Sequence, residues 1–132
     1  MIGLDTSVLA RYLVQDEPRQ SAKASALVRS AAEGGEVMFV SAIVLCELVW
    51  VLESAYGYSK RAVIELIEKI LETDQIVVED SDEMRSALES YRRGKADFSD
   101  YVIGLRGLAH GCERTATFDR ALKGEPGFDV LG

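Results

Sequence analysis

The sequence predicts an α/β fold, a parallel sheet of four to five strands flanked by helices on both faces. Three observations predict it. Short apolar runs of three or four residues alternate with longer stretches of helical periodicity. Each short run is followed by one or two helical stretches along almost the whole chain, the pattern of crossover units that build parallel sheets. Only two prolines, Pro18 and Pro126, interrupt 132 residues, and no repeat or low-complexity segment is visible, so the pattern reads as a single domain over 1–132.

The elements follow in order. Met1 to Leu4 is a short apolar strand ending at Asp5. Thr6 to Val14 reads helical, with Val8, Leu9, Tyr12 and Leu13 on one face. Pro18 opens a second helix to about Ala32, stopped by Gly34-Gly35. Val37 to Val40 is a second strand. Ser41 is a good N-cap for a helix to about Tyr56, apolar almost all round and therefore expected to be buried. Gly57 ends it. Ser59 caps the next helix, to about Thr73, with Val63, Leu66, Ile67 and Ile70 in phase. Ile76 to Val78 is a third strand. Glu79-Asp80-Ser81-Asp82-Glu83 reads as acids favoured at a helix N-terminus, on a helix to about Arg93 that Gly94 breaks. Asp97 begins another helix ending near Gly111. Glu113 to Ala116 is a fourth strand and Phe128 to Leu131 a fifth.

Composition narrows the function. Apolar residues are 48% and charged residues 28%, which is ordinary globular composition rather than disorder. The longest apolar run, Met38 to Trp50, is broken by Ser41 and Glu47 and is shorter than the ~20 residues that span a bilayer. The N-terminus lacks the basic region and cleavage site of a signal peptide. Both point to a cytoplasmic protein with no membrane association. Cys46 and Cys112 lie far apart and read as buried reduced thiols. His110, the single histidine, reads as a capping or surface residue and supplies neither a zinc site nor a catalytic triad. A net charge of −7 excludes a general nucleic-acid binder, unless carboxylates converge on cations that reverse the local sign.

Asp5 directly follows the first strand and Asp119 the fourth. Asp97 and Asp100 lie in the first turn of the helix leading into strand four. In parallel sheets the working site lies beyond the carboxyl ends of the strands, where all of these would fall. Each acid alone has a plainer reading. Asp5 and Asp97 suit N-caps, Asp100 stands at the capping-box position, and Asp119 suits a turn. Glu47 interrupts Val44-Leu45-Cys46-Glu47-Leu48-Val49-Trp50. A carboxylate in a buried helix needs a compensating partner, either an arginine or a cavity shared with other acids and a cation. An all-oxygen set without histidine suits Mg²⁺ or Mn²⁺ better than zinc. Such a site supports phosphoryl chemistry by activating a water and stabilising a leaving oxygen.

These four segments resemble the motifs of PIN domains, particularly the VapC-type toxins of toxin–antitoxin pairs. Leu4-Asp5-Thr6-Ser7-Val8-Leu9 resembles the first motif. Ser41-Ala42-Ile43-Val44-Leu45-Cys46-Glu47-Leu48 resembles the second, and Ala96-Asp97-Phe98-Ser99-Asp100-Tyr101-Val102-Ile103 the third. Ala116-Thr117-Phe118-Asp119 resembles the fourth. The motifs stand in family order over nearly the whole chain.

The resemblance implies a Rossmann-like fold and a catalytic, metal-binding quartet of Asp5, Glu47, Asp100 and Asp119, with Asp97 as an additional acid. Ser7 and Thr117 match supporting hydroxyls, and Ser7 stands where many relatives carry Asn. It implies endoribonuclease activity with Mg²⁺, Mn²⁺ substituting, by attack of a metal-activated water on RNA to leave 5′-phosphate and 3′-hydroxyl ends. It also implies a cognate antitoxin whose tail lies in an apolar groove, and a homodimer or toxin–antitoxin hetero-oligomer. Tyr12, Leu13, Trp50 and Tyr56 are candidates for that groove, with ordinary core the plainer reading. Arg92, Arg93, Lys95 and Arg120, and further off Lys60 and Arg61, are candidate RNA contacts or else solvated helix ends.

Three rival readings fit the sequence less well. A haloacid-dehalogenase-like phosphatase needs a second acid two residues after Asp5, where Ser7 stands. A receiver domain leaves Glu47 without a role. A non-catalytic PIN-like module that binds RNA or protein would be marked by an incomplete quartet, and all four acids are present.

Overall fold

The structure, a computed structural model, describes residues 1–132. The elements run β1 (Ile2–Gly3), α1 (Thr6–Val14), α2 (Pro18–Gly34), β2 (Met38–Val40), α3 (Ala42–Ser54), α4 (Lys60–Glu72), β3 (Ile76–Val78), α5 (Ser81–Arg93), α6 (Phe98–Ala109), β4 (Thr115–Thr117), a 3₁₀ turn (Arg120–Leu122) and β5 (Phe128–Val130). The architecture is α/β, with every strand pair parallel. The strands hydrogen-bond as two ladders, β1-β2-β3 and β4-β5. The chain divides into two compact units, Met1–Ser81 and Asp82–Gly132.

In the first unit β2 is central, pairing Met38 with Ile2 on one side and Ile76 on the other. Met38 and Val40 are fully buried, as a strand bonded along both edges requires. α1 lies against α2 and α3, and α3 against α4. Leu9, Leu45, Leu48, Leu52, Val63 and Ile67 make the core. Helix starts are chemically specified. Pro18 occupies the first position of α2, where its missing N–H costs nothing, and Glu17 accepts from the Arg19 and Gln20 N–H groups. Ser41 Oγ accepts from the Val44 N–H and Ser59 Oγ from the Ala62 N–H, both at 3.2 Å. Gly35, at φ +68°, closes α2 in the left-handed conformation.

α3 departs from the expectation of full burial. Its core face is filled, but Ile43 is 78% and Trp50 67% exposed, and Glu47 is exposed as well. A helix apolar all round has no contrast by which its sequence marks the outward side. The acidic segment before α5 also divides. Asp82 and Glu83 occupy the first turn of α5 as expected. Glu79 instead reaches back to α3, its Oε1 accepting the Ala42 N–H at 2.8 Å. Together Ser41 and Glu79 satisfy two of the orphan donors of the helix that carries Glu47.

In the second unit Met84, Leu88, Tyr91, Phe98, Tyr101 and Leu122 are buried, with the Tyr91 and Phe98 rings edge to face at 6.1 Å. Gly104 is required by close approach, because a Cβ there would stand 2.5 Å from the Phe128 ring of β5. Gly94 makes room for the Tyr101 hydroxyl, which accepts the Ala96 N–H at 3.3 Å and so shapes the loop into Asp97. The fourth strand is Thr115–Thr117 rather than Glu113–Ala116. Its register is set by β5, pairing Thr115 with Phe128 and Thr117 with Val130.

The cysteines correct another expectation. Cys112 is exposed and Cys46 half-buried, and both are free thiols. Burial pushes the Cys46 thiol pKa up, so it is a poor nucleophile. His110 is exposed at the C-cap of α6, in keeping with its expected role. No helix is long and apolar enough to cross a membrane.

Candidate active site

Asp5 stands at the N-cap of α1, immediately beyond β1, with extended backbone (φ −81°, ψ 160°). Its carboxylate makes no cap hydrogen bond, so the plainer reading of Asp5 as a helix cap does not hold. The carboxylate instead accepts from Ser7 Oγ at 3.1 Å. Thr6, between them, is buried and donates its hydroxyl to Glu47 Oε1, tying α1 to α3. Asp5, Thr6, Ser7 and Glu47 line one cleft of about 350 Å³ with Ala10, Arg11, Trp50, Val51 and Tyr56. Glu47 is therefore not the buried carboxylate its neighbours suggested. It is an exposed side chain facing a cleft, and a threonine hydroxyl rather than an arginine is its partner.

Arg11 belongs to the same cleft and was not anticipated. Its Nε donates to Gln20 Oε1 at 2.7 Å, and its Nη1 donates to both Asp16 oxygens at 3.0 Å and to Tyr56 Oη at 2.9 Å. The Asp16 hydrogen bond raises the Arg11 pKa further, and although burial opposes it, the same contact lowers that of Asp16. This network fixes the Tyr56 ring in the cleft wall. The signal in the sequence was a lone cation in Val8-Leu9-Ala10-Arg11-Tyr12-Leu13, where a helix otherwise buries its apolar face.

The remaining acids belong to the second unit. Asp97 is the exposed N-cap residue of α6. One Asp100 oxygen accepts from the Asp97 backbone N–H at 3.1 Å, as expected of the capping-box position. Asp119 Oδ1 accepts from the Ala121 N–H at 2.9 Å and caps the 3₁₀ turn, while Thr117 Oγ1 accepts from the Asp119 N–H at 3.0 Å. Thr117 thus fixes the backbone of Asp119, whereas Ser7 holds the carboxylate of Asp5. The Asp100 pKa is raised, first by burial and then by the charges of Asp97 and Asp119, with the Asp97 N–H opposing. Carboxylates crowded in this way repel each other, and a divalent cation relieves the repulsion.

An all-oxygen set of carboxylates and hydroxyls suits a hard cation such as Mg²⁺, which keeps several waters and needs few protein ligands. Neither set closes three acidic ligands on one point. Asp5 and Glu47 of the first unit and Asp100 and Asp119 of the second are the residues that would hold such an ion.

The expected basic contacts are placed less favourably. Arg92 and Arg93 pair with Glu89 at 3.3 and 3.8 Å, and Arg61 with Glu65 at 3.6 Å, all as helix-surface ion pairs. Lys95 and Arg120 are exposed. The four residues proposed for an apolar groove separate. Tyr12 and Leu13 line a cavity of about 320 Å³ with Leu9, Val28, Leu66 and Ile70, whereas Trp50 and Tyr56 belong to the acidic cleft. Phe118, 79% exposed directly before Asp119, is a further side chain that the sequence reading passed over.

The model of the PIN domain family matches residues 2–124. The chain belongs to the PIN domain family. It is also similar to the VapC ribonuclease of Aquifex aeolicus (strain VF5), with 28% identity over 120 residues that cover 91% of this chain and 88% of the relative. The PIN match runs through all four acidic motifs, from Asp5 to Asp119.

Proposed function

We propose that this PIN domain is a Mg²⁺-dependent endoribonuclease, with Mn²⁺ able to substitute, and that it acts as the toxin of a toxin–antitoxin pair. The observation that carries the reading is the gathering of Asp97, Asp100 and Asp119 at the start of α6 and the turn after β4, where burial first and then the two neighbouring charges push the Asp100 carboxyl above its ordinary value. Perturbed carboxylates of this kind cluster at functional sites, and a bound cation would offset their repulsion. Similarity to a VapC ribonuclease supports the same reaction class.

Asp5, Glu47, Asp100 and Asp119 are the proposed catalytic and metal-holding acids, with Asp97 assisting. A bound divalent ion would supply an activated water and charge neutralisation at the scissile phosphate. Ser7 orients the Asp5 carboxylate and Thr6 orients Glu47. Thr117 fixes the backbone at Asp119. Partners of this kind orient ligating carboxylates, and their loss costs about 10- to 100-fold in metal affinity or activity. Lys95 and Arg120, exposed beside the acids of the second unit, are the best placed of the proposed phosphate contacts. The cavity lined by Tyr12 and Leu13, which Lys69 and Thr73 also line, suits an amphipathic segment of a cognate antitoxin.

The test is cleavage of a total-RNA pool by purified protein with Mg²⁺, with EDTA, and with Asp5→Asn as control. Cleavage that needs both the metal and Asp5, with 5′-phosphate products, is the expected result. Folded, antitoxin-free protein that leaves all RNA intact yet binds it would establish a binding module instead.

A further inference from the structure

We propose that Trp50 is the stacking platform on which the acidic cleft seats an unpaired nucleobase next to the scissile phosphate. The inference rests on the nuclease reading above and deepens it. Trp50 is 67% exposed, although a tryptophan ordinarily buries 150–250 Å². A single exposed apolar side chain needs no explanation by itself. The position of this one does. It lines the same cleft as Asp5, Ser7 and Glu47. It stands three residues after Glu47 on α3, and side chains at that spacing are neighbours on one helix face, about 5–6 Å apart at Cβ. A base stacked on the indole therefore keeps its own phosphate group at the carboxylates.

The surroundings fit an aromatic, anionic ligand. Tyr56 forms part of the same wall and its hydroxyl is held by Arg11, so the wall is ordered before anything binds. Arg11, although paired with Asp16, is the one basic side chain in the lining of this cleft. Every base offers a π-face, so the platform selects for an unpaired nucleotide rather than for a sequence. In a duplex the base faces are already stacked and out of reach.

The chain has one tryptophan, so its emission reports on this ring alone. Emission of Asp5→Asn protein, titrated with a single-stranded oligoribonucleotide that the wild type cuts, is expected to be quenched saturably. The same oligonucleotide annealed to its complement, or made abasic beside the cut site, should quench far less. With wild-type background, Trp50→Ala should raise KM for the single strand about 5- to 150-fold, the range that base–aromatic stacking supports. Trp50→Phe should recover much of that loss. The melting temperature of Trp50→Ala should stay close to wild type because the ring is mostly in water.

Unquenched emission with a cleaved substrate, or an unchanged KM for Trp50→Ala, overturns the platform while leaving the nuclease reading intact. A smaller oligomer on Trp50→Ala substitution, with unchanged KM, assigns the ring to a contact between copies and likewise overturns it. Wild-type protein that neither cuts nor binds RNA removes the nuclease reading and the platform with it.

Discussion

The two units of the molecule hold their acids by different means. In Met1–Ser81 the acids are kept by side-chain hydroxyls, Asp5 by Ser7 and Glu47 by Thr6, and they line a cleft with a tryptophan and an arginine. In Asp82–Gly132 the acids are kept by backbone N–H groups, Asp100 by Asp97 and Asp119 by Ala121, and they press on one another. The first arrangement orients each carboxylate through a side-chain hydrogen bond. The second uses the positive ends of helix and turn N-termini to tolerate a crowd of like charges. Each region carries an exposed aromatic beside an acid, Trp50 near Glu47 and Phe118 before Asp119.

If both regions serve one reaction, Asp5→Asn and Asp119→Asn should each lower cleavage by more than ~100-fold, beyond the usual loss for an outer partner of a metal ligand. Initial rates on end-labelled RNA measure this. A loss confined to one of the two variants would divide the regions into a reacting and a non-reacting half.

A smaller effect is expected from the orienting hydroxyls. Thr6→Val keeps the shape but removes the hydrogen bond to Glu47, and should cost ~10- to 100-fold in kcat/KM or in Mn²⁺ affinity by calorimetry. Thr117→Val should cost less, because Thr117 touches the backbone of Asp119 and not its carboxylate. Equal losses would erase the contrast between hydroxyl-held and backbone-held acids.

Glu79→Ala should destabilise the protein by about 1 kcal/mol through loss of the Ala42 N–H acceptor, read as a shift in urea midpoint at constant m-value. An unchanged midpoint would mean that Ser41 caps α3 alone.

The smallest effect concerns Asp100→Asn in metal-free protein. The Asn carbonyl still accepts from the Asp97 N–H, while the repelled charge is gone, so the variant should melt at or above the wild-type temperature at pH 7. Because the Asp100 pKa is raised on folding, its contribution is favourable below the unfolded pKa and is lost as pH rises through the folded one. The advantage of the variant should therefore shrink as pH falls from neutral toward about 3.9, the ordinary aspartate value. An advantage that grows toward acid pH would break the account of Asp100.

The sequence by itself determined the elements and their order. Ser41, Ser59 and Pro18 announce helix starts, and Gly35 a helix stop, because capping is a matter of a few adjacent residues. Apolar spacing marked Val63, Ile67 and Ile70 as core for the same local reason. The four acidic motifs were legible too, and the hydrogen bonds of Ser7 with Asp5 and of Thr117 with Asp119 join residues only two positions apart. What only the tertiary structure decided depends on contacts between distant residues. Thr6 with Glu47, separated by 41 positions, and Glu79 with Ala42, separated by 37, have no periodic signature. Nor does periodicity tell which side of an all-apolar helix a fold leaves open. That side of α3 turned out to carry Trp50 and Glu47 into the Arg11 cleft, because the number of neighbours available to cover a helix is a property of the assembled chain and not of the helix.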